Sequence, residues 1–267
     1  MSPNSEIAVI GVPLDANSSF LRGAAAAPEA IRAALGCPSS NLCAESGLDL
    51  GADSRWRDAG DIGSAERQPS AAMIEEHVRQ LLGQGARVVA LGGDHSISHP
   101  LLRAHAAASA GLSVLHLDAH PDLYDELDGH RDSHACPFAR IMEEGLAKRM
   151  VSVGIRAATP HQREQATRFG VETVAAGEDW RAVVASLQPP LYLSLDLDVL
   201  DPAFAPGISH YAPGGLATRE VLDILHRLPW PPLGADLVEL NPERDLHGMT
   251  AMVAAKLLKE ILARMLG

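Results

Sequence analysis

Short apolar runs alternate with longer amphipathic segments along almost the whole chain, and this alternation constrains the fold more than any other feature. The runs are IAVIGV from Ile7, RVVALG from Arg87, SVLHLD from Ser113, MVSVGI from Met150, VETV from Val171, LYLSLD from Leu191 and GADLVEL from Gly234. Between them, apolar residues recur at helical spacing over about 28–36, 70–84, 97–109, 137–148, 160–169, 218–228 and 250–266. Strands that are apolar on both faces belong inside a layered protein, and helical connections between them favour parallel pairing. The pattern predicts an α/β fold: a three-layer α/β/α sandwich around a mostly parallel sheet of about eight strands, the weaker eighth lying near RWRDAGD. Thr218 and Thr250 are expected to cap the last two helices. The closing stretch AMVAAKLLKEILARML is amphipathic, which suits a helix that covers the core and could also serve an oligomer.

The 267 residues, 46% of them hydrophobic, can bury a substantial core. No linker or composition shift divides them, so a single domain over 1–267 is expected. A net charge of −12 argues against nucleic acid or an anionic membrane as partner, since both require a basic face. No basic and apolar leader precedes Ile7, and no apolar run approaches the roughly 20 residues that span a bilayer. A cytoplasmic protein is expected. Cys37, Cys43 and Cys136 lack a C-x-x-C spacing and are expected to be free thiols.

Chemistry gathers at the ends of three of the predicted strands. In LHLDAHPDLYD, alternate positions carry Asp118, His120 and Asp122, which strand geometry would project to one side. LYLSLDLDVLDP repeats the device with Asp196 and Asp198, followed by Asp201. RVVALGGDHS turns on Gly92 and Gly93 and places His95 just past the strand. Open α/β sheets bind their ligands at such carboxyl ends. Asp118, Asp122, Asp196 and Asp198 would repel one another unless protons or cations intervened, and two divalent ions balance their four charges. Oxygen-rich ligation with imidazole and no cysteine favours two Mn²⁺, with Co²⁺, Ni²⁺ or Fe²⁺ also suited. Such a pair, about 3.5 Å apart, activates water for hydrolysis. Each piece alone is unremarkable, for D-x-H arises by chance and GGDHS suits a simple turn. Three strand ends with matching spacing point to a metal centre.

GGDHS, DAHPD, SLDLDVLDPAFAPG and LVELNP together resemble the motif blocks of the ureohydrolases, the family of arginases and agmatinases that hydrolyse guanidino groups at a dinuclear manganese site. The likeness runs from GVPLDANSSFLRG to GMTAMVAAKLLKEIL and is nearest the plant-type arginases in DPAFAPGISHYAPGGL and SHACPFARIME. It implies one ion held by His95, Asp118, Asp122 and Asp196, and another by His120, Asp118, Asp196 and Asp198. It further implies that Asp122 contacts the attacking hydroxide, that Glu239 pairs with the guanidinium, and that His134 shuttles protons. Asp94, His116, Asp201 and Asp236 are expected to orient the ligands. Trimers or hexamers are the assemblies the family implies.

The substrate is less constrained than the reaction. LYDELDGHRDSH occupies the family's specificity loop, and Tyr124, His130, Arg131, Thr159 and His210 are the expected pocket residues, with Tyr211 beside them. Arg131 or His130 facing a carboxylate would select arginine; Asp125, Glu126, Asp128 or Asp132 facing an ammonium would select agmatine. The plant-type wording favours L-arginine, cleaved to L-ornithine and urea, over agmatine or another guanidino or formimino compound. A metallophosphoesterase would need a later G-N-H-[DE] block and a deacetylase a His-His pair, and neither occurs. An inactive metal-binding regulatory homologue would be expected to have lost a ligand, whereas all six are present. Among the other histidines, His77, His105, His161 and His226 are expected on helix surfaces.

Overall fold

The computed structural model describes residues 5–267. In chain order the elements are β1 (Ile7–Val12), α1 (Ala27–Leu35), β2 (Trp56–Asp61), α2 (Ala71–Gly83), β3 (Arg87–Gly92), α3 (Ser98–Ala108), β4 (Leu112–Leu117), α4 (Pro137–Glu143), β5 (Ala147–Ile155), α5 (Pro160–Phe169), β6 (Glu172–Ala175), α6 (Arg181–Ala185), β7 (Leu191–Asp196), α7 (Thr218–His226), β8 (Gly234–Val238) and α8 (Met249–Leu266). The eight strands form one sheet in the order β2-β1-β3-β8-β7-β4-β5-β6. Every pairing is parallel.

Two apolar layers cover the sheet. Ile31 of α1, Val221 and Leu225 of α7, and Leu257, Leu258, Ile261 and Leu262 of α8 pack on one face. Ile74 and Val78 of α2, Leu101 and Leu102 of α3, and Phe138 of α4 pack on the other. Each such side chain contributes about 1.5–3 kcal/mol on burial. No helix among the described residues is long and apolar enough to cross a membrane. All three cysteines are free thiols.

Several sequence expectations shift locally. The helix expected to run to 148 stops at Glu143, and β5 begins at Ala147, three residues before Met150. The five-residue α6 has too few residues to display a period. Thr250 lies within the first turn of α8, where its hydroxyl accepts the Gly207 N–H; Asp245 caps the helix by accepting the N–H groups of Thr250 and Ala251, both at 2.9 Å. Similarly, Thr218 is the first residue of α7, and Glu220 reaches back to the Ala217 N–H at 2.8 Å. His105 is buried, not on a helix surface: its Nδ1 donates to the Leu101 carbonyl at 2.8 Å, and its ring meets Tyr192 edge-on at 4.9 Å.

Candidate metal centre and active site

The four central strands β3, β8, β7 and β4 deliver the chemistry-bearing residues from their carboxyl ends. Gly93 permits this at β3, because a Cβ there would stand 1.8 Å from the Leu14 carbonyl oxygen. The close approach brings the loop after β1 against the turn that carries His95. Asp94 then fastens the loop, accepting from the Asn17 N–H at 3.0 Å and the Ser18 hydroxyl at 3.3 Å.

The predicted ligands converge, although strand alternation is not the cause. β4 ends at Leu117, so Asp118, His120 and Asp122 all lie in the following loop, and Asp198 lies in the short turn Leu197–Val199. The loops are locked instead by ligand-to-backbone bonds: Asp198 accepts the Ala119 N–H at 3.0 Å, Asp118 that of His120 at 2.5 Å, and Asp196 that of Asp198 at 2.7 Å. Asp122 and Glu239 adopt left-handed backbone, with φ of 49° and 67°. Such conformations are uncommon outside glycine and collect at functional sites.

His95 Nδ1 is fully buried and makes no hydrogen bond, yet Asp118, Asp122 and Asp196 each direct an Oδ2 to within 3.1–3.2 Å of it. Three oxygens and an imidazole lone pair facing one point are a donor set for a cation. A second group lies alongside, with His120 Nδ1 2.8 Å from Asp198 Oδ2 and 3.5 Å from Asp118 Oδ1. Electrostatics agree with geometry. Burial, with Asp198 and Asp118 nearby, pushes the Asp196 carboxyl well above its ordinary range; burial and Asp118 likewise raise Asp198. Burial opposes charge on His120, but Asp198 and Asp118 outweigh it and raise the imidazole to about 12. The centre demands positive charge, and hard cations with oxygen and imidazole ligands meet that demand.

Beside the centre is a pocket of about 190 Å³ whose walls include His120, Asp122, Tyr124, His134, His210 and Glu239. Glu239 Oε1 accepts the His95 N–H at 2.9 Å and lies 2.8 Å from His134 Nδ1. Burial works against ionising Glu239, but His134 and these hydrogen bonds keep its carboxyl below the usual range. Burial also disfavours protonated His134, and the Glu239, Asp122 and Asp94 carboxylates overcome it, holding the imidazole up at about 9. Burial and His134 lower His210, whose ring lies 5.0 Å from that of His134.

Other expected residues fall into three groups. His116 and Asp236 lie behind the ligands: His116 Nε2 is 2.7 Å from Asp118 Oδ2, and Asp236 bonds to Ser194, which bonds to His95. Asp94 touches no ligand side chain and acts through the turn it caps. Asp201 is not brought to the ligands; it accepts the N–H groups of Ala203, Gly214 and Gly215. Thr159 caps α5, the exposed Arg131 pairs with Glu143 at 2.9 Å, and the exposed His130 bridges to Leu127, so none of these three lines the pocket. Tyr211 points its hydroxyl to the Pro206 carbonyl.

Two polar residues of the pocket wall were not expected. Gln162, at the third position of α5, is buried against the pocket. Ser19 lies 2.9 Å from His134 Nε2 through its hydroxyl. Its position in the loop after β1, at the same end of the sheet as the metal motifs, was the available signal. Ser194 had a plainer one: it is the polar residue of LYLSLD and stands two places before Asp196.

A model of the arginase family matches residues 5–263. Arginase 1, mitochondrial, of Arabidopsis thaliana is 46% identical over 96% of this chain and 80% of its own length. N(1)-aminopropylagmatine ureohydrolase of Thermus thermophilus is 38% identical over 95% of this chain and 88% of its own. Among solved structures, the arginase from Medicago truncatula superposes with a TM-score of 0.92 at 42% identity, covering 98% of this chain and 88% of that one. These matches extend over the sheet and every strand end that bears a ligand, and the chain belongs to the arginase family, metal-dependent hydrolases of guanidino compounds.

Proposed function

We propose that this protein is an arginase that hydrolyses L-arginine to L-ornithine and urea with two Mn²⁺ ions. The carrying observation is the unpartnered, buried His95 Nδ1 facing three carboxylate oxygens at 3.1–3.2 Å. The relatives named arginases at 42–46% identity support arginine over agmatine. His95, Asp118, Asp122 and Asp196 would hold one ion, and His120, Asp118, Asp196 and Asp198 the other. Bound divalent ions supply a water activated for attack near neutral pH and a positive field for the developing charge.

The protein's own groups do the rest. Glu239, kept ionised, pairs with the guanidinium and turns its carbon toward the centre. Asp122, in its left-handed conformation, would accept a hydrogen bond from the attacking group and orient it. His134 carries a proton at neutral pH and delivers it to the leaving amine. With Arg131 held by Glu143, the amino-acid end of the substrate falls to the pocket donors Tyr124 and Gln162. Assembly as a trimer or hexamer, which the family resemblance implies, belongs to the same reading.

The test is urea release by the Mn²⁺-loaded protein, with kcat/KM compared for L-arginine and agmatine. A preference of tenfold or more for arginine, about 1.4 kcal/mol of discrimination, is expected. A preference for agmatine would replace the substrate and keep the chemistry.

A further inference from the structure

Four polar residues stand in register across the buried middle of the sheet. Asp236 of β8 pairs with Ser194 of β7, Ser194 with His116 of β4, and His116 with Ser152 of β5. All four are 0% exposed. Polar groups in such a place are costly unless their hydrogen bonds are complete, and here the bonds have a definite direction.

One arm leads to His95. The Asp236 carboxylate accepts from Tyr192 at 2.8 Å, Ser98 at 3.1 Å and Ser194 at 2.6 Å. The single hydroxyl proton of Ser194 is thereby committed to Asp236, and its oxygen is left to accept from His95 Nε2 at 2.9 Å. The His95 proton accordingly resides on Nε2, and its Nδ1 lone pair faces the three carboxylates. The other arm leads to Asp118. Its Oδ2 lies 2.7 Å from His116 Nε2, which donates to it, and on the far side of the ring His116 Nδ1 lies 3.1 Å from the Ser152 hydroxyl.

We infer that this transverse row assigns the imidazole protons behind the metal centre, with Ser194 positioning the His95 lone pair and Ser152 orienting Asp118 through His116. The inference rests on the metal centre proposed above and is independent of the substrate. It makes the two serines unequal. Ser194 serves one ion alone, whereas Ser152 serves a carboxylate that belongs to both ligand sets.

Equilibrium dialysis with Mn²⁺ tests this on the wild type, Ser194→Ala and Ser152→Ala. Ser194→Ala is expected to weaken one ion by about 10- to 100-fold, as outer-shell changes commonly do, and to leave the other unchanged. Ser152→Ala is expected to weaken both. Asp236→Asn, which cannot be the anion that takes the Ser194 proton, should repeat the Ser194→Ala loss. In the Co²⁺-loaded wild type, the His95 Nε2 proton should give a paramagnetically shifted NMR signal that exchanges slowly with water; in Ser194→Ala it should exchange fast. Equal loss of both ions in Ser194→Ala, no loss of either, or an unaltered proton signal overturns the inference. Selective metal loss without urea release from arginine overturns only the substrate reading, and urea release with unaltered metal binding in Ser194→Ala overturns only the row.

Discussion

His134 Nδ1 lies 2.8 Å from Glu239 Oε1, and the same oxygen accepts the main-chain N–H of His95 at 2.9 Å. One carboxylate thus joins the proposed proton donor to a proposed metal ligand. Glu239→Gln should lower kcat/KM for arginine by about 10- to 100-fold, in line with the roughly 1.5–3 kcal/mol of a hydrogen bond to a charged group. Losing that negative charge also lowers His134 from about 9. The alkaline limb of the pH–rate profile should therefore move to lower pH, and an unmoved limb would separate His134 from the rate.

Asp122→Asn and His120→Asn should each remove most activity while the circular dichroism spectrum remains that of the wild type. Both change the proposed metal set without touching the apolar layers. His134→Ala should slow turnover less, because water can replace a proton carrier. Full activity in Asp122→Asn would refute the proposed centre.

Ser19 meets His134 Nε2, and the backbone of the same loop holds His134 again through the Asn17 carbonyl at 3.1 Å. Ser19→Ala should lower kcat by about 2- to 10-fold, the effect of one hydrogen bond worth ~0.5–1.5 kcal/mol. Mn²⁺ stoichiometry should be unaffected. Steady-state kinetics beside metal analysis will distinguish this outcome from a general loosening of the site.

His105 gives stability a pH dependence away from the site. Burial lowers its imidazole from 6.5 to about 4, with the Leu101 carbonyl opposing only in part. At pH above 6.5 both folded and unfolded chains hold it neutral, and its contribution is fully present. As pH falls from 6.5 towards 4, the unfolded chain gains the proton first and stability drops, by a limit of about 3 kcal/mol for this group. Urea unfolding at several pH values should show this slope in the wild type and lose it in His105→Leu.

The same ring explains a glycine. A Cβ at Gly234 would stand 2.3 Å from His105 Nε2. Gly234→Ala and His105→Ala should each destabilise the protein by about 1–3 kcal/mol. Because the second change removes the obstacle to the first, the double variant should cost less than the sum by at least ~0.5 kcal/mol. Additive costs in a double-mutant cycle would show that His105 moves aside freely.

The layered architecture was legible because parallel strands buried on both faces must be apolar throughout, and the interruptions between them carried a helical period. All six proposed ligands were legible through spacing and motif. Their means of convergence was not. Alternation along β4 suggested one face, whereas Asp118, His120 and Asp122 follow the strand and are gathered by hydrogen bonds to residues up to 79 positions away, such as Ala119 with Asp198. Arg131 could not be placed from sequence, since its pairing with Glu143 depends on how the loop folds onto α4. The Asp236–Ser194–His116–Ser152 row was hidden for a similar reason: strand register becomes visible only when the sheet order is known.

That order also dictates when the centre can exist during synthesis. β3 and β4, which precede His95 and Asp118, are separated in the sheet by β8 and β7, the last two strands made. A nascent chain that has emerged as far as α6 holds two sheet segments with facing, unfilled edges, and only half of the pocket. The late strands close this gap and bring Asp196, Asp198 and Glu239 with them. The chain from β7 onward is therefore a keystone, and any truncation before β8 removes the join between the two segments as well as the carboxylate proposed to bind the guanidinium.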